Sequence, residues 1–254
     1  MTKNSCPTPC SHVSMLLAAV ILALGLGGAG YMARQGLKEF RSADNFVNVK
    51  GLATRDVEAD LVIWPIKHAA TGNELPETQK SVEDNTQKTI AFLKSQGLSD
   101  SDIVQRRLEV TDLLAQSYRP ENAQESRFIV AETVVVRTHN IDAVDKAAQN
   151  IGELLKLGVS VQRGDANNGA AGNPEYIYTK LNEIKPAMIA DATKNAREAA
   201  VQFASDSGTH VGKIKDAYQG VFEILPRDSN NSYQERQERF KTVRVVSTIR
   251  FYLD

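Results

Sequence analysis

The chain has 254 residues, of which 42% are hydrophobic and 24% charged, with 30 basic and 31 acidic side chains and a net charge of -1. These proportions are those of an ordinary globular protein, with length for one large or two small domains and a sizeable core. The even charge balance argues against a nucleic-acid module, which carries a basic excess or patch.

Residues 1–12 read as an N-terminal tail holding both cysteines, Cys6 and Cys10. Their C-x-x-x-C spacing with two prolines suggests either a redox or metal clip or a plain tail. The tail is the expected reading, because no other ligand lies nearby. The residues that follow contain no thiol, which excludes an internal disulfide, a cysteine-ligated metal or a cysteine nucleophile there.

Residues 13–32 carry no Asp, Glu, Lys or Arg. A helix of about 20 apolar residues spans a bilayer, so an uncleaved transmembrane anchor is expected. The alternative is a cleaved signal, with its core at Met15–Leu26 and a cut near Gly28, Ala29 and Gly30. No cysteine follows the core, which excludes a lipoprotein anchor. Arg34, Lys38 and Arg41 come next and pull toward the cytoplasm, so charge bias leaves the orientation open.

Residues 33–45 form a short charged linker, and 46–254 read as one α+β domain. Residues 46–51 alternate as a half-buried strand, and 60–67 form a second. Pro65 lacks an N–H and requires an edge or a bulge, while Glu58 and Asp60 are expected to be solvated. Residues 74–96 read as a helix whose face holds Val82, Thr86, Thr89, Ile90 and Leu93, with Gly97 as its stop.

Residues 103–118 and 128–138 are strands joined by a polar turn at 120–125, an expected hairpin; the second is rich in β-branched residues. Residues 141–157 form the next helix, capped by Asn140 and ended by Gly158, with Ile141, Val144, Ala148, Ile151 and Leu155 on one face.

Residues 159–161 are extended, 164–173 form a Gly/Asn-rich loop, and 174–183 a further strand. The third helix covers 185–207, with Pro186 in its first turn and the small apolar face Met188, Ala192, Ala196, Ala199, Phe203, Ala204. Strands at 213–224 and 242–253 follow, separated by the polar loop 227–239. The fold class is therefore α+β: antiparallel strand pairs alternating with three helices packed on the sheet or sheets, preceded by one N-terminal transmembrane helix.

The usual catalytic constellations are missing. His12, His68, His139 and His210 form no H-E-x-x-H or other close metal pair, and His139 reads as a surface or turn histidine. There is no G-x-S-x-G, and the loop at 164–173 lacks both a Walker lysine and G-x-G-x-x-G. Asp206-Ser207 and Asp228-Ser229 have no recognisable partner for nucleophilic work. The residues nominate no catalytic, cofactor-binding or metal-binding side chain.

Several stretches together resemble the SIMPL-domain family of bacterial envelope proteins. They are VNVKGLATRDVEADLVIWPI at 47–66, the helix at 78–98 with the acidic turn at 99–103, and the alanine-rich DATKNAREAAVQFASDSG at 191–208. The last runs on into Gly212-Lys213-Ile214 and Ala217-Tyr218-Gln219-Gly220. The resemblance implies an α+β domain facing the periplasm, either tethered to the inner membrane by 13–32 or soluble after cleavage. It implies homo-oligomers, no catalytic residues to carry over, no cofactor, and an indirect link to oxidative-stress tolerance. A non-catalytic, self-associating envelope protein is the resulting expectation. The alternative is a periplasmic module that binds a small ligand or an envelope protein through 164–173 or 227–239.

Overall fold

A computed structural model describes residues 20, 22–32, 45–115, 126–162, 172–229 and 232–254. Residues 22–32 are helical (α1), with Leu22, Leu24 and Leu26 exposed. Among the described residues no helix is long and apolar enough to cross a membrane. The rest of the expected span, the tail and the linker up to residue 44 lie outside the described residues.

The order that follows is β1 (Phe46–Glu58), β2 (Leu61–Gly72), α2 (Leu75–Ser95), β3 (Ile103–Asp112), β4 (Phe128–Thr138), α3 (Ile141–Gln149) and α4 (Gly152–Lys156). Then come β5 (Val161–Gln162), β6 (Glu175–Ile177), α5 (Leu181–Asp206), β7 (Val211–Gln219), β8 (Glu223–Pro226) and β9 (Phe240–Leu253). One sheet has the order β1-β9-β7, with β8 also on β9; the other has β3-β4-β2-β5, with β6 also on β2. The β2–β4, β3–β4, β7–β9 and β8–β9 pairs are all antiparallel, which bears out the α+β class.

The chain divides into two compact units. One comprises the described residues up to Leu52 with Ala192–Gly220 and Ser247–Asp254; the other comprises Ala53–Asp191 and Val221–Val246. In the larger unit, α2 lies across β2 and β4. Even-numbered residues of β2 (Val62, Trp64, Ile66) and β4 (Val134, Val136) meet Phe92 and Leu93 of α2 and Val144 of α3 in one core. The two-residue strand period puts them all on one face. Burying each large apolar side chain contributes about 1.5–3 kcal/mol. In the smaller unit, Val49, Ala196, Ala200, Ile249 and Phe251 form a second core.

Among the described residues five α-helices stand where three and an anchor were expected. The expected helix at 141–157 breaks at Asn150–Ile151, and Gly152, a poor helix former, opens α4. The break turns the apolar face: Leu154 is buried while Leu155, on the expected face, is exposed. Asn140 caps α3 as expected, accepting from the Ala143 amide at 3.2 Å.

The expected strand at 174–183 is only three residues long, and α5 begins four residues early. Pro186 therefore lies inside the helix rather than in its first turn. The strand expected at 213–224 is interrupted, giving β7 and β8. β1 and β2 extend beyond their expected ends, and β3 stops at Asp112. The hairpin of β3 and β4 forms, though its turn at 120–125 lies outside the described residues.

Pro65 sits in the centre of its sheet yet keeps a local edge. β6 pairs with Leu61–Ile63 and β5 with Lys67–His68, so among the described residues no strand pairs with the second side of β2 at Pro65. Gly97 ends α2 at φ 101°, a left-handed conformation that favours glycine.

Candidate functional site: a buried polar chain opening on a cleft

His68 and Glu132 interrupt two of the most apolar strands, and both have core-facing parity. His68 continues Val62, Trp64 and Ile66 along β2; Glu132 stands between Val130 and Val134 on β4. The two are directly opposite in the β2–β4 register. Thr86 comes down on them from α2, one turn beyond Val82. His68 and Thr86 are fully buried, and Glu132 is 4% exposed.

Burial obliges these groups to find partners. His68 Nε2 lies 2.9 Å from Thr86 Oγ1, and the Thr86 hydroxyl lies 2.5 Å from Glu132 Oε2. The carboxylate only accepts, so the hydroxyl proton goes to Glu132 and His68 Nε2–H donates to Thr86. That fixes the neutral Nε2–H tautomer and leaves His68 Nδ1 as a buried acceptor without a partner. Arg106 of β3 donates from Nε to Glu132 Oε1 at 2.6 Å and from Nη2 to Glu83 Oε2 at 2.7 Å. The chain of contacts is thus His68–Thr86–Glu132–Arg106–Glu83, running from the core to the surface across four elements.

The charges follow from this wiring. Burial is the main cause that holds the His68 pKa below the usual histidine value, against the pull of Glu132. Bonds from Gln87 and then Arg106 hold Glu83 below the usual carboxylate range. Arg106 is held further toward its charged form by Glu132 first and Glu83 second.

A cleft of about 320 Å³ opens here, lined by Gln79, Val82, Glu83, Arg106, Leu108 and Glu132. Both oxygens of Glu132 are already engaged, and the Thr86 hydroxyl is sealed beneath the sheet. The arrangement is an ion pair at the floor of a cleft, with its one unpartnered acceptor, His68 Nδ1, buried away from the lining.

A second polar cluster lies elsewhere in the same unit. Arg239 bridges Glu58 at 2.5 Å and Asp142 and Asp145 at 2.8 Å each, and Asp145 also accepts the Tyr176 hydroxyl. Burial opposes the Arg239 charge, but its carboxylate partners outweigh it and raise the pKa. Burial first, then Asp145, pushes the Tyr176 phenol up. Lys241 is fully buried against Glu235 at 2.7 Å.

The structure sorts the remaining sequence candidates as follows. His139 is exposed at the end of β4 and bonds the Asp60 carbonyl, while His210 pairs with Asp254 through the backbone. His12 and both cysteines lie outside the described residues. Ser207 bonds carbonyls at the end of α5, and Asp228 takes Arg227 in a two-point ion pair. Glu58, expected to be solvated, is exposed and also takes Arg239, while Asp60 is half-buried and accepts from the amide and hydroxyl of Thr179 at 2.6 Å each. Of the loop 164–173, only Gly172 and Asn173 are described, and the Trp64 indole donates to the Gly172 carbonyl at 3.1 Å. Among the described residues no three His, Cys, Asp or Glu side chains gather as a metal site.

A family model, SIMPL, described as a protein of unknown function (DUF541), matches residues 47–251. The chain belongs to the SIMPL family. That match takes in β2 to β8, nearly all of β1 and β9, and both polar clusters, so the buried chain and the Arg239 hub are features within the SIMPL region. No curated protein matches the sequence.

Proposed function

We propose that this SIMPL protein is a non-catalytic cell-envelope protein that self-associates through its α+β region. In this reading residues 13–32 hold it in the inner membrane and the α+β region faces the periplasm, or is released there by cleavage. The observation that carries the reading is the open edge of β3, where Val104, Leu108 and Val110 are 53%, 48% and 51% exposed. β3 ends its sheet, and a long edge with apolar side chains is a template for pairing with another chain. The exposed leucines of α1 support the membrane part, since a charge-free helix bearing them is suited to lipid. The engaged state of Thr86 and Glu132 supports a structural rather than a catalytic part for the buried chain. An indirect role in oxidative-stress tolerance rests on the SIMPL resemblance alone.

Sedimentation of the full chain in detergent tests the assembly. A mass that rises with concentration is expected, and a strict monomer at micromolar concentration overturns it. A reporter fused after Asp254, with fractionation and N-terminal sequencing, tests the placement; a cytoplasmic reporter overturns it.

A second reading, a small-ligand binding module, is favoured by a cavity of about 280 Å³. Trp64, Ile151, Leu155 and Val161 line it beside Gly172 and Pro174. Quenching of the chain's single tryptophan by envelope extracts, lost in a Leu155→Arg variant, is the result expected from it.

A further inference from the structure

Strand β3 reads IVQRRLEVTD from Ile103 to Asp112. Its inner side pairs with β4 without a break from Gln105 to Asp112, after a register shift at Val104, and among the described residues no strand covers its outer side. Seven consecutive residues, Val104–Val110, are exposed. Two copies meeting edge to edge about a two-fold axis pair antiparallel, and the axis then passes through one residue opposite its own copy.

The choice of that central residue decides every other pair. Centring on Arg106 or Arg107 sets a guanidinium against itself, and centring on Glu109 sets a carboxylate against itself. Centring on Gln105, Val110 or Thr111 opposes no unlike charges. Centring on Leu108 places leucine on leucine, Arg107 against Glu109 twice, Gln105 against Thr111, and Arg106 against Val110. Counting pairs within β3, only this register opposes unlike charges without opposing like ones. Directly opposite residues share a face and interact most strongly in a sheet.

The two faces agree with this register. Leu108 and Val110 lie on the face toward α2, opposite Glu132 and Val130 of β4, where the Arg106 stem can cover the partner's Val110. Arg107 and Glu109 lie on the other face. Glu109 already takes Lys67 at 2.9 Å and, at 51% side-chain exposure, has room for a second cation.

We infer that two copies of this chain join through antiparallel β3–β3 pairing centred on Leu108, with Arg107 of each opposite Glu109 of the other. The inference rests on the self-association reading and adds its register. A closed two-fold pairing also removes the exposed edge, which an open head-to-tail contact does not.

Charge reversal tests the register on the full chain in detergent, by sedimentation velocity. Arg107→Glu alone, or Glu109→Arg alone, sets like charges opposite one another twice, and each is expected to weaken self-association on the order of tenfold or more. Mixing the two variants restores unlike pairs, so a hetero-pair forms. The double variant Arg107→Glu/Glu109→Arg recovers self-association by itself. Circular dichroism checks folding, because Glu109→Arg also removes the partner of Lys67. If that variant unfolds, Arg107→Glu and the double variant carry the test. If single reversals leave the native mass unchanged, or neither mixing nor the double variant restores it, the register is overturned while self-association stands. A native chain that stays monomeric overturns both.

Discussion

At the scale of single residues, Thr86 carries the most consequence. Its hydroxyl links His68 to Glu132, and all three are buried. Thr86→Val keeps the shape but leaves a buried donor and a carboxylate oxygen unmatched. It is expected to cost about 1–3 kcal/mol for an unmatched buried group, read as a fall in the urea midpoint, with Thr86→Ser recovering most of it. His68 adds a pH dependence whose sign follows from its lowered pKa. The unfolded chain binds the proton near pH 6.5, the fold only at lower pH. Stability therefore falls as pH drops through that window and is fully present above it. His68→Gln keeps a donor but cannot titrate, so the loss between about pH 7.5 and about pH 5.5 shrinks in that variant. An equal loss in both proteins would count against His68 as its source. No motif marks these residues, because they come from four elements. The legible signal was narrower: a histidine and a glutamate at core parity in β2 and β4, and threonine on the apolar face of α2.

At the scale of elements, the packing of α5 depends on what is missing from side chains. Ala192, Ala196 and Ala200 recur at one-turn spacing and are fully buried. Against them Gly51 of β1 comes so close that an added Cβ would lie 1.8 Å from the Ala192 carbonyl oxygen. Asn195 also donates to the Leu52 carbonyl at 2.7 Å. The obstruction is backbone, which cannot swing aside. Gly51→Ala is expected to destabilise by at least about 2 kcal/mol, measured by thermal melting, whereas Gly152→Ala, open on all sides, should not destabilise. The Arg239 hub works differently, joining β1, α3 and β6 by charge. Arg239→Gln strands Glu58, Asp142 and Asp145 together, and a loss of about 2 kcal/mol is expected in chemical denaturation. The sequence placed α2, β4 and the Asn140 cap well, since periodicity and capping are local. It missed the break in α3–α4 and the early start of α5, where local preference competes with packing.

At the scale of the whole molecule, the proposed β3–β3 pairing carries a salt dependence. Arg107 and Glu109 are exposed, so their attraction is screened as the Debye length shrinks. Raising ionic strength from about 0.05 M to about 0.5 M should weaken association in part, while the apolar Leu108 contact persists. Association that strengthens steadily over the same range would instead point to a purely apolar contact elsewhere. By itself the sequence determined the α+β class, the places of α2 and β4, the cysteine-free composition of the folded region and its SIMPL character. These are written in residue periods, stop signals and composition, which act over a few positions of chain. Only the tertiary structure decided that, among the described residues, β3 ends its sheet and Pro65 lies between β5 and β6, and that His68, Thr86, Glu132 and Arg106 meet. Each depends on which strands become neighbours, and that is set by long-range burial rather than by any local pattern of residues.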